Sequence, residues 1–240
     1  MNNSTEKVMV DFANGNITGE NSKDDVILIG ISPYKESSYV DEIEIVLNQE
    51  NGNSISIDFP YSGYDIQLFL GDFTGNNRSD IMVRGGFGGS GGFEIGVIYK
   101  YENGKLIEIF NQNTFYDNNK CQASYKENYK LNINCGENKY SLNLAARPKY
   151  YLNLIYTPDG KVKPTYEPYV DAPSAILPTK QIYNDFYELI ILQRVVGVAN
   201  SDTLASIQTL LSLEDSKNNI IYCTAPQLLD QKSNDWGVFV

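Results

Sequence analysis

The chain has 240 residues, enough for one large all-β domain or two small ones, with a sizeable core and no need of disulfides. Its 19 basic and 30 acidic residues give a net charge of -11, so its field repels nucleic-acid phosphates and anionic lipid head groups. The absence of histidine excludes Ser-His-Asp and Cys-His catalysis and histidine-ligated zinc or iron. We predict a single domain, residues 1–240, that has no nucleic-acid partner and is not an enzyme.

No segment approaches the about 20 apolar residues that a membrane-spanning helix needs, so we expect no membrane insertion. The opening sequence MNNSTEKVMVDF has neither the basic segment nor the apolar core of a signal peptide. The compartment stays open between a cell or spore surface and the cytoplasm. We expect a monomer whose partner is a protein or a glycan.

Apolar and polar residues alternate along much of the chain, which predicts half-buried strands separated by hairpin turns. In chain order, strands are predicted at 42–49, 54–59, 93–101, 105–110, 129–135 and 140–144. The proline-punctuated segment 163–178 is predicted to be an extended connection. The alternation in 201–216 favours a strand over a helix that begins at a serine cap.

Three cysteines, Cys121, Cys135 and Cys223, lack the CxxC spacing of a zinc site. Cys121 and Cys135 could face each other across a hairpin. At least one cysteine must stay unpaired, so no full disulfide framework is predicted. For Cys121 and Cys135 we favour reduced, half-buried thiols over a disulfide.

A polar loop recurs along the chain, and each copy runs into a strand. Residues 16–24 (loop 1) and 72–80 (loop 2) share this pattern at a spacing of 72 − 16 = 56 residues. A weaker copy, 180–188 (loop 3), follows at 180 − 72 = 108 residues, about twice the first interval, as if an intervening unit had lost its loop. A period in the fifties with several strands per unit is typical of propeller blades.

Loop 2 places oxygen atoms on alternate residues, the arrangement by which a tight turn surrounds a hard cation such as calcium. The predicted ligands are Asp72, Thr74, Asn76, the Arg78 carbonyl and Asp80. With two carboxylates we expect a dissociation constant of about 10⁻⁴ to 10⁻³ M. The alternative is a polar turn with side-chain to backbone hydrogen bonds and no ion.

Loop 1 is predicted to be a weaker copy of the same site, because an asparagine replaces the leading carboxylate. Its ligands would be Asn16, Thr18, Glu20, the Ser22 carbonyl and Asp24. In loop 3, Lys180 occupies the first position and its ammonium takes the place of an ion, so we predict no metal there.

The glycine run GGFGGSGGFEIG lacks GK[ST] and a following helix, so a phosphate-binding loop is disfavoured and a close strand crossing or a surface loop is favoured. Carboxylate pairs such as Asp24 and Asp25 are weak support for a calcium-dependent hydrolase or lyase. Tyrosine pairs, at 150–151 and at 166 and 169, are compatible with stacking on a sugar and equally with packing between sheets.

The segments NITGENSKDDVILIG, LFLGDFTGNNRSDIMV and YELIILQRVVGVANSDTLASIQT resemble the bacterial FG-GAP/VCBS repeat proteins, the integrin-α-like repeats. More narrowly, the chain is similar to uncharacterised single-domain members from spore-forming Gram-positive bacteria. The resemblance implies an all-β, propeller-like array of antiparallel repeats, with an irregular sandwich or barrel as the alternative. It also implies calcium in loop 2, more weakly in loop 1, and brings no established activity. We therefore expect a non-enzymatic, calcium-stabilised binding or structural module, with a carbohydrate-recognition module using surface tyrosines as the alternative.

Overall fold

The computed structural model describes residues 6–19, 21–34, 37–182 and 184–224. These residues form an all-β structure with two short helices, α1 (Gln112–Asn118) and α2 (Lys149–Ile155), and one 3-10 turn (Glu214–Ser216). The strands are β1 (Lys7–Gly15), β2 (Asp24–Ile31), β3 (Tyr39–Asn48), β4 (Ser54–Asp58), β5 (Gly63–Gly71), β6 (Asp80–Gly88), β7 (Phe93–Glu102), β8 (Lys105–Asn111), β9 (Cys121–Lys126), β10 (Lys130–Cys135), β11 (Asn138–Asn143), β12 (Tyr169–Lys180), β13 (Tyr187–Val196), β14 (Thr203–Ser212) and β15 (Asn219–Thr224).

The strands form antiparallel meanders, and none of the described sheets closes on itself. Strands β1 to β4 and β5 to β8 are two consecutive four-stranded meanders, joined into one sheet where β3 pairs with both β4 and β5. Strands β9 to β11 form a three-stranded sheet, and β12 to β15 form a further four-stranded sheet in chain order. The three-stranded sheet lies in sequence between the second and last meanders, where the loop spacing predicts a unit without a loop.

The chain divides into two compact units. The first contains Met1–Asn118, Ala172–Leu192 and Thr209–Tyr222, and the second contains Asn119–Asp171, Gln193–Gln208 and Cys223–Val240. Strands β12, β13, β14 and β15 contribute residues to both units. The single-domain prediction for 1–240 stays a prediction.

Each unit has its own apolar core, built by the alternation of the strands. In the first unit, β6 is buried on both faces: Ile81 and Val83 pack in one cluster, and Met82 packs in another on the opposite side. In the second unit, Leu131 and Ile133 pack with α2. The predicted alternation is therefore confirmed as the origin of the core.

Most strand predictions are confirmed, and the segment 201–216 contains β14, a strand rather than a helix. The prediction for 163–178 is wrong in its second half, because β12 includes Pro173 and Pro178. Strand β12 lies at the edge of its sheet, where a missing N–H does not interrupt a ladder on the outer side. The two seven-residue helices have too little periodicity to predict.

The cysteine prediction is wrong for the first pair, since Cys121 and Cys135 form a disulfide. The two residues lie directly opposite each other in the β9–β10 ladder. This register, which the hairpin sequence permits but does not require, brings the two thiols together. The side chain of Cys223 lies outside the described residues.

In the described part of the chain, no helix is long and apolar enough to cross a membrane.

Candidate metal centre

The three predicted loops occupy the same place in three meanders. Loop 1 joins β1 to β2, loop 2 joins β5 to β6, and loop 3 joins β12 to β13, so each connects the first two strands of its meander. The ninth residues, Asp24, Asp80 and Glu188, are buried at the start of the second strand. A carboxylate buried at this point must find donors or a cation, because burial disfavours an uncompensated charge.

Asp72 organises the turn of loop 2 by accepting backbone hydrogen bonds. Its Oδ1 accepts from the N–H groups of Thr74, Gly75 and Asn76 at 3.1, 2.7 and 3.2 Å, and its Oδ2 accepts from Asn77 N–H at 2.8 Å. Asn77 has φ +62°, a left-handed conformation that asparagine adopts more readily than most residues. The loop therefore curls around the Asp72 carboxylate with the side-chain to backbone hydrogen bonds of a polar turn.

Asp80 closes loop 2 from the other end, and it uses one oxygen to do so. Its Oδ2 accepts from Phe73 N–H at 2.9 Å and from the N–H and hydroxyl of Thr74 at 3.2 and 3.3 Å. Burial raises the pKa of Asp80 to about 7, and the nearby charge of Asp72 acts in the same direction. The site thus holds a buried carboxylate whose negative charge is incompletely compensated.

The other predicted ligands of loop 2 lie in the same turn. Asn76 Oδ1 accepts from Arg78 N–H at 2.9 Å, and Thr74 is buried against Asp80. None of the ion pairs formed by the described residues includes Asp72 or Asp80. Two neighbouring carboxylates that no described cationic side chain pairs with, together with neutral oxygens, form a set of donors that fits calcium.

The described residues contain no group of three or more histidine, cysteine or acidic side chains that could hold a metal. Among the residues predicted as ligands of loop 2, only Asp72 and Asp80 carry a carboxylate.

The buried carboxylate of loop 1 accepts hydrogen bonds from donors within the loop and from the β3–β4 turn. Asp24 accepts from Ile17 N–H at 3.0 Å, from Thr18 N–H at 2.7 Å, from the Ser22 hydroxyl at 2.6 Å and from Glu50 N–H at 3.0 Å. Burial acts to raise the pKa of Asp24, but the hydroxyl of Ser22 and the loop N–H groups outweigh it, and the pKa lies below its ordinary value. Loop 1 thus has less need of an ion than loop 2.

Asn16, the first residue of loop 1, is directed to loop 2. Its amide donates to the Asn77 carbonyl at 2.9 Å, and its Oδ1 accepts from the Ser79 hydroxyl at 2.7 Å. Glu20, another predicted ligand, lies outside the described residues. The weaker calcium site in loop 1 stays a prediction. The side chain of Asn16 forms hydrogen bonds with loop 2.

In loop 3 the buried carboxylate, that of Glu188, has fewer hydrogen bonds than Asp24 or Asp80 has. Glu188 Oε1 accepts from Asn184 at 3.0 Å, and Oε2 is buried without a hydrogen-bond partner among the described residues. The Lys180 ammonium lies 5.9 Å from the centre of the Tyr187 ring. The prediction that this loop holds no metal stays a prediction.

Loop 2 is held by residues that sequence spacing does not reveal. Besides Asn16, Tyr187 donates its N–H to the Asp72 carbonyl at 2.6 Å, and Asp215 donates its N–H to the Thr74 carbonyl at 3.2 Å. These contacts come from other hairpins, and backbone groups of any residue type can make them. Hence no pattern of residue types in the sequence could have predicted these contacts.

The candidate residues of the alternative functions lie in both units, with Asp25 in the first and the tyrosine pairs in the second. Asp25 accepts from Asn14 at 2.8 Å, and Tyr151 is buried and donates its hydroxyl to Asp202 at 2.6 Å. Tyr150 and Tyr169 are exposed. The glycine run ends in β7 and not in a helix, so it lacks the helix dipole of a phosphate loop.

Comparison of the sequence with known proteins identifies the family of this chain. The sequence model of one protein family, the YybI C-terminal domain, matches residues 119–226. The chain is 30% identical over 214 residues to the uncharacterised protein YybI of Bacillus subtilis strain 168, with 86% of this chain and 80% of that protein aligned. Among solved structures, the rhamnogalacturonan lyase PL11 of Bacillus licheniformis aligns with 91% of this chain, at 12% identity and a TM-score of 0.41. The alignment spans 34% of that lyase. The identity and coverage shared with the Bacillus subtilis protein show that this chain belongs to the YybI family.

Proposed function

We propose that the protein is a non-enzymatic binding or structural module of the FG-GAP/VCBS type, whose meanders are arranged as propeller-like blades and whose loop 2 binds calcium. The observation that carries the proposal is the pair Asp72 and Asp80, two carboxylates in one turn that form no ion pair with a cationic side chain of the described residues. The equivalent placement of the three loops supports the repeat assignment.

The proposed role of calcium is to stabilise the first unit. Asp72 and Asp80 would supply the charged ligands, with Thr74, Asn76 and the Arg78 carbonyl as neutral ones. The ion would offset the repulsion between the carboxylates. Because loop 2 also bonds Asn16 and Tyr187, fixing it would tie together three hairpins of the same unit.

A thermal melt in calcium and in chelator tests this proposal. With about 10 mM calcium and a dissociation constant of about 10⁻⁴ to 10⁻³ M, binding adds about 1.4–2.7 kcal/mol to the free energy of unfolding. For a chain of this size we expect the melting temperature to rise by about 3–10 °C. Magnesium at the same concentration is the control for ionic strength, because its stricter octahedral demand suits this loop poorly. Identical midpoints in calcium and in chelator would exclude a functional site.

A further inference from the structure

A cleft of about 390 Å³ opens in the first unit where β5, β6 and β7 lie side by side. Its walls include Tyr64, Arg84, Gly88, Phe93 and Glu94. The volume lies in the range of small-ligand sites. None of the cleft residues belongs to loop 2, so this site is separate from the candidate metal centre.

The glycine run and two irregularities in the ladders shape the cleft. The β5–β6 register shifts between Tyr64 and Gln67, and the β6–β7 register shifts between Gly86 and Gly88. A side chain on Gly85 would begin 2.8 Å from the Tyr64 carbonyl, so only glycine allows the strands to approach here. Such shifts redirect side chains away from a regular ladder and are frequent beside ligand sites.

Tyr64 forms a fixed aromatic wall. A Cβ added to Gly88 would lie 2.6 Å from its ring, so the ring packs directly on the glycine backbone. On another side the Tyr39 ring contacts it edge-on, with centroids 5.2 Å apart. Tyr64 nevertheless remains 41% exposed. The ring thus offers surface to a ligand while its neighbours restrict its motion.

An ion pair forms part of the polar wall of the cleft. Arg84 Nη2 lies 3.0 Å from Glu94 Oε1, and Glu94 Oε2 accepts from Ile176 N–H at 3.0 Å. Arg84 Nε is buried without a hydrogen-bond partner among the described residues. Together the two side chains present both donors and acceptors beside an aromatic ring.

We propose that this cleft binds a neutral saccharide, with a sugar ring stacked on Tyr64 and sugar hydroxyls hydrogen-bonded to Arg84 and Glu94. A sugar ring has an apolar C–H face and hydroxyls that both donate and accept, which matches the two kinds of wall. The inference goes beyond the proposed function by giving the binding module a ligand class and a place to bind it.

Other ligand classes fit less well. Anionic ligands meet Asp65 and Glu94 against the single charge of Arg84, on a chain of net charge -11. Cationic ligands find the Glu94 carboxylate already paired with Arg84. An extended peptide cannot add to β6, because β6 is paired on both sides.

The test is a binding screen of the full chain, in saturating calcium, against neutral oligosaccharides of hexoses, pentoses and N-acetylhexosamines. Affinity for each hit is then measured by calorimetry for wild type, Tyr64→Ala, Tyr64→Phe and Tyr150→Ala. We expect at least one oligosaccharide to bind and Tyr64→Ala to weaken it by at least about tenfold. Tyr64→Phe keeps the stacking surface and should change affinity by less than about threefold.

Tyr150→Ala is the matched control, because Tyr150 is an exposed tyrosine of the second unit, outside the cleft. It should bind as wild type does. Absence of binding to every neutral oligosaccharide, or equal affinity in wild type and Tyr64→Ala, would overturn the inference. The calcium-dependent melting shift of Tyr64→Ala should match that of wild type, so a failure at the cleft and a failure at loop 2 give different results.

Discussion

Asp24→Asn is expected to destabilise the protein by about 2–4 kcal/mol, in calcium and in chelator alike. Both oxygens of Asp24 accept backbone hydrogen bonds: Oδ2 from Ile17 and Thr18, and Oδ1 from Glu50. An asparagine amide has one acceptor oxygen and must turn its NH₂ group towards at least one of these N–H groups. A buried donor then loses its acceptor, and the charge-assisted bonds are lost as well.

Asp25→Asn is the matched control for this substitution. Asp25 is the next residue in β2, is only partly buried, and accepts from the Asn14 side chain at 2.8 Å. Its effect should stay within about 0.5 kcal/mol. Urea unfolding followed by circular dichroism measures both variants. Equal midpoints for Asp24→Asn and Asp25→Asn would contradict the view that loop 1 is held by its own buried carboxylate.

Asp80→Asn, the same substitution at the equivalent place in loop 2, is expected to abolish the melting shift produced by calcium. It should leave the stability in chelator unchanged within about 1 kcal/mol, or raise it slightly. In the described structure Asp80 accepts hydrogen bonds through Oδ2 alone, so an asparagine oxygen can keep them. The substitution also removes a buried charge that lies close to Asp72.

The two substitutions therefore have opposite signatures, although the residues occupy equivalent positions. Thermal melts of Asp80→Asn in calcium and in chelator, beside those of wild type, supply the measurement. If Asp80→Asn lowered the midpoint in chelator as much as Asp24→Asn does, loop 2 would be a self-sufficient polar turn. If the variant kept the full calcium shift, the ion would bind elsewhere.

The strands could be predicted from the sequence because successive residues of a half-buried strand face the core and the solvent in turn. Strand β2 alternates strictly between buried and partly exposed positions along its length. Strand β12 was missed because prolines suggest a break, and only its place at a sheet edge makes them tolerable. Edge position depends on the complete strand order, which no local window contains.

The site could be predicted only in part, for a similar reason. Alternate oxygens in 72–80 predict a tight polar turn, and Asp72 does organise that turn. The same pattern in 16–24 does not show that the Ser22 hydroxyl already serves Asp24, or that Asn16 bonds loop 2. The use of each oxygen depends on contacts across tens of residues, which spacing does not encode.

The glycine run shows how composition can indicate a feature without its purpose. The glycines predict a close strand crossing or a surface loop. The structure shows a close approach at Gly85, where an added Cβ would lie only 2.8 Å from the Tyr64 carbonyl oxygen. The cleft that results requires Arg84 and Glu94 to face it from adjacent strands, and only the β6–β7 register brings them together.

The most direct test of the account is a crystal structure grown in calcium at several millimolar, with anomalous scattering used to locate the ion. The account predicts a calcium ion in loop 2, bound by the carboxylates of Asp72 and Asp80 and by neutral oxygens of the same turn. A well-ordered loop 2 that holds only water in such crystals would contradict it.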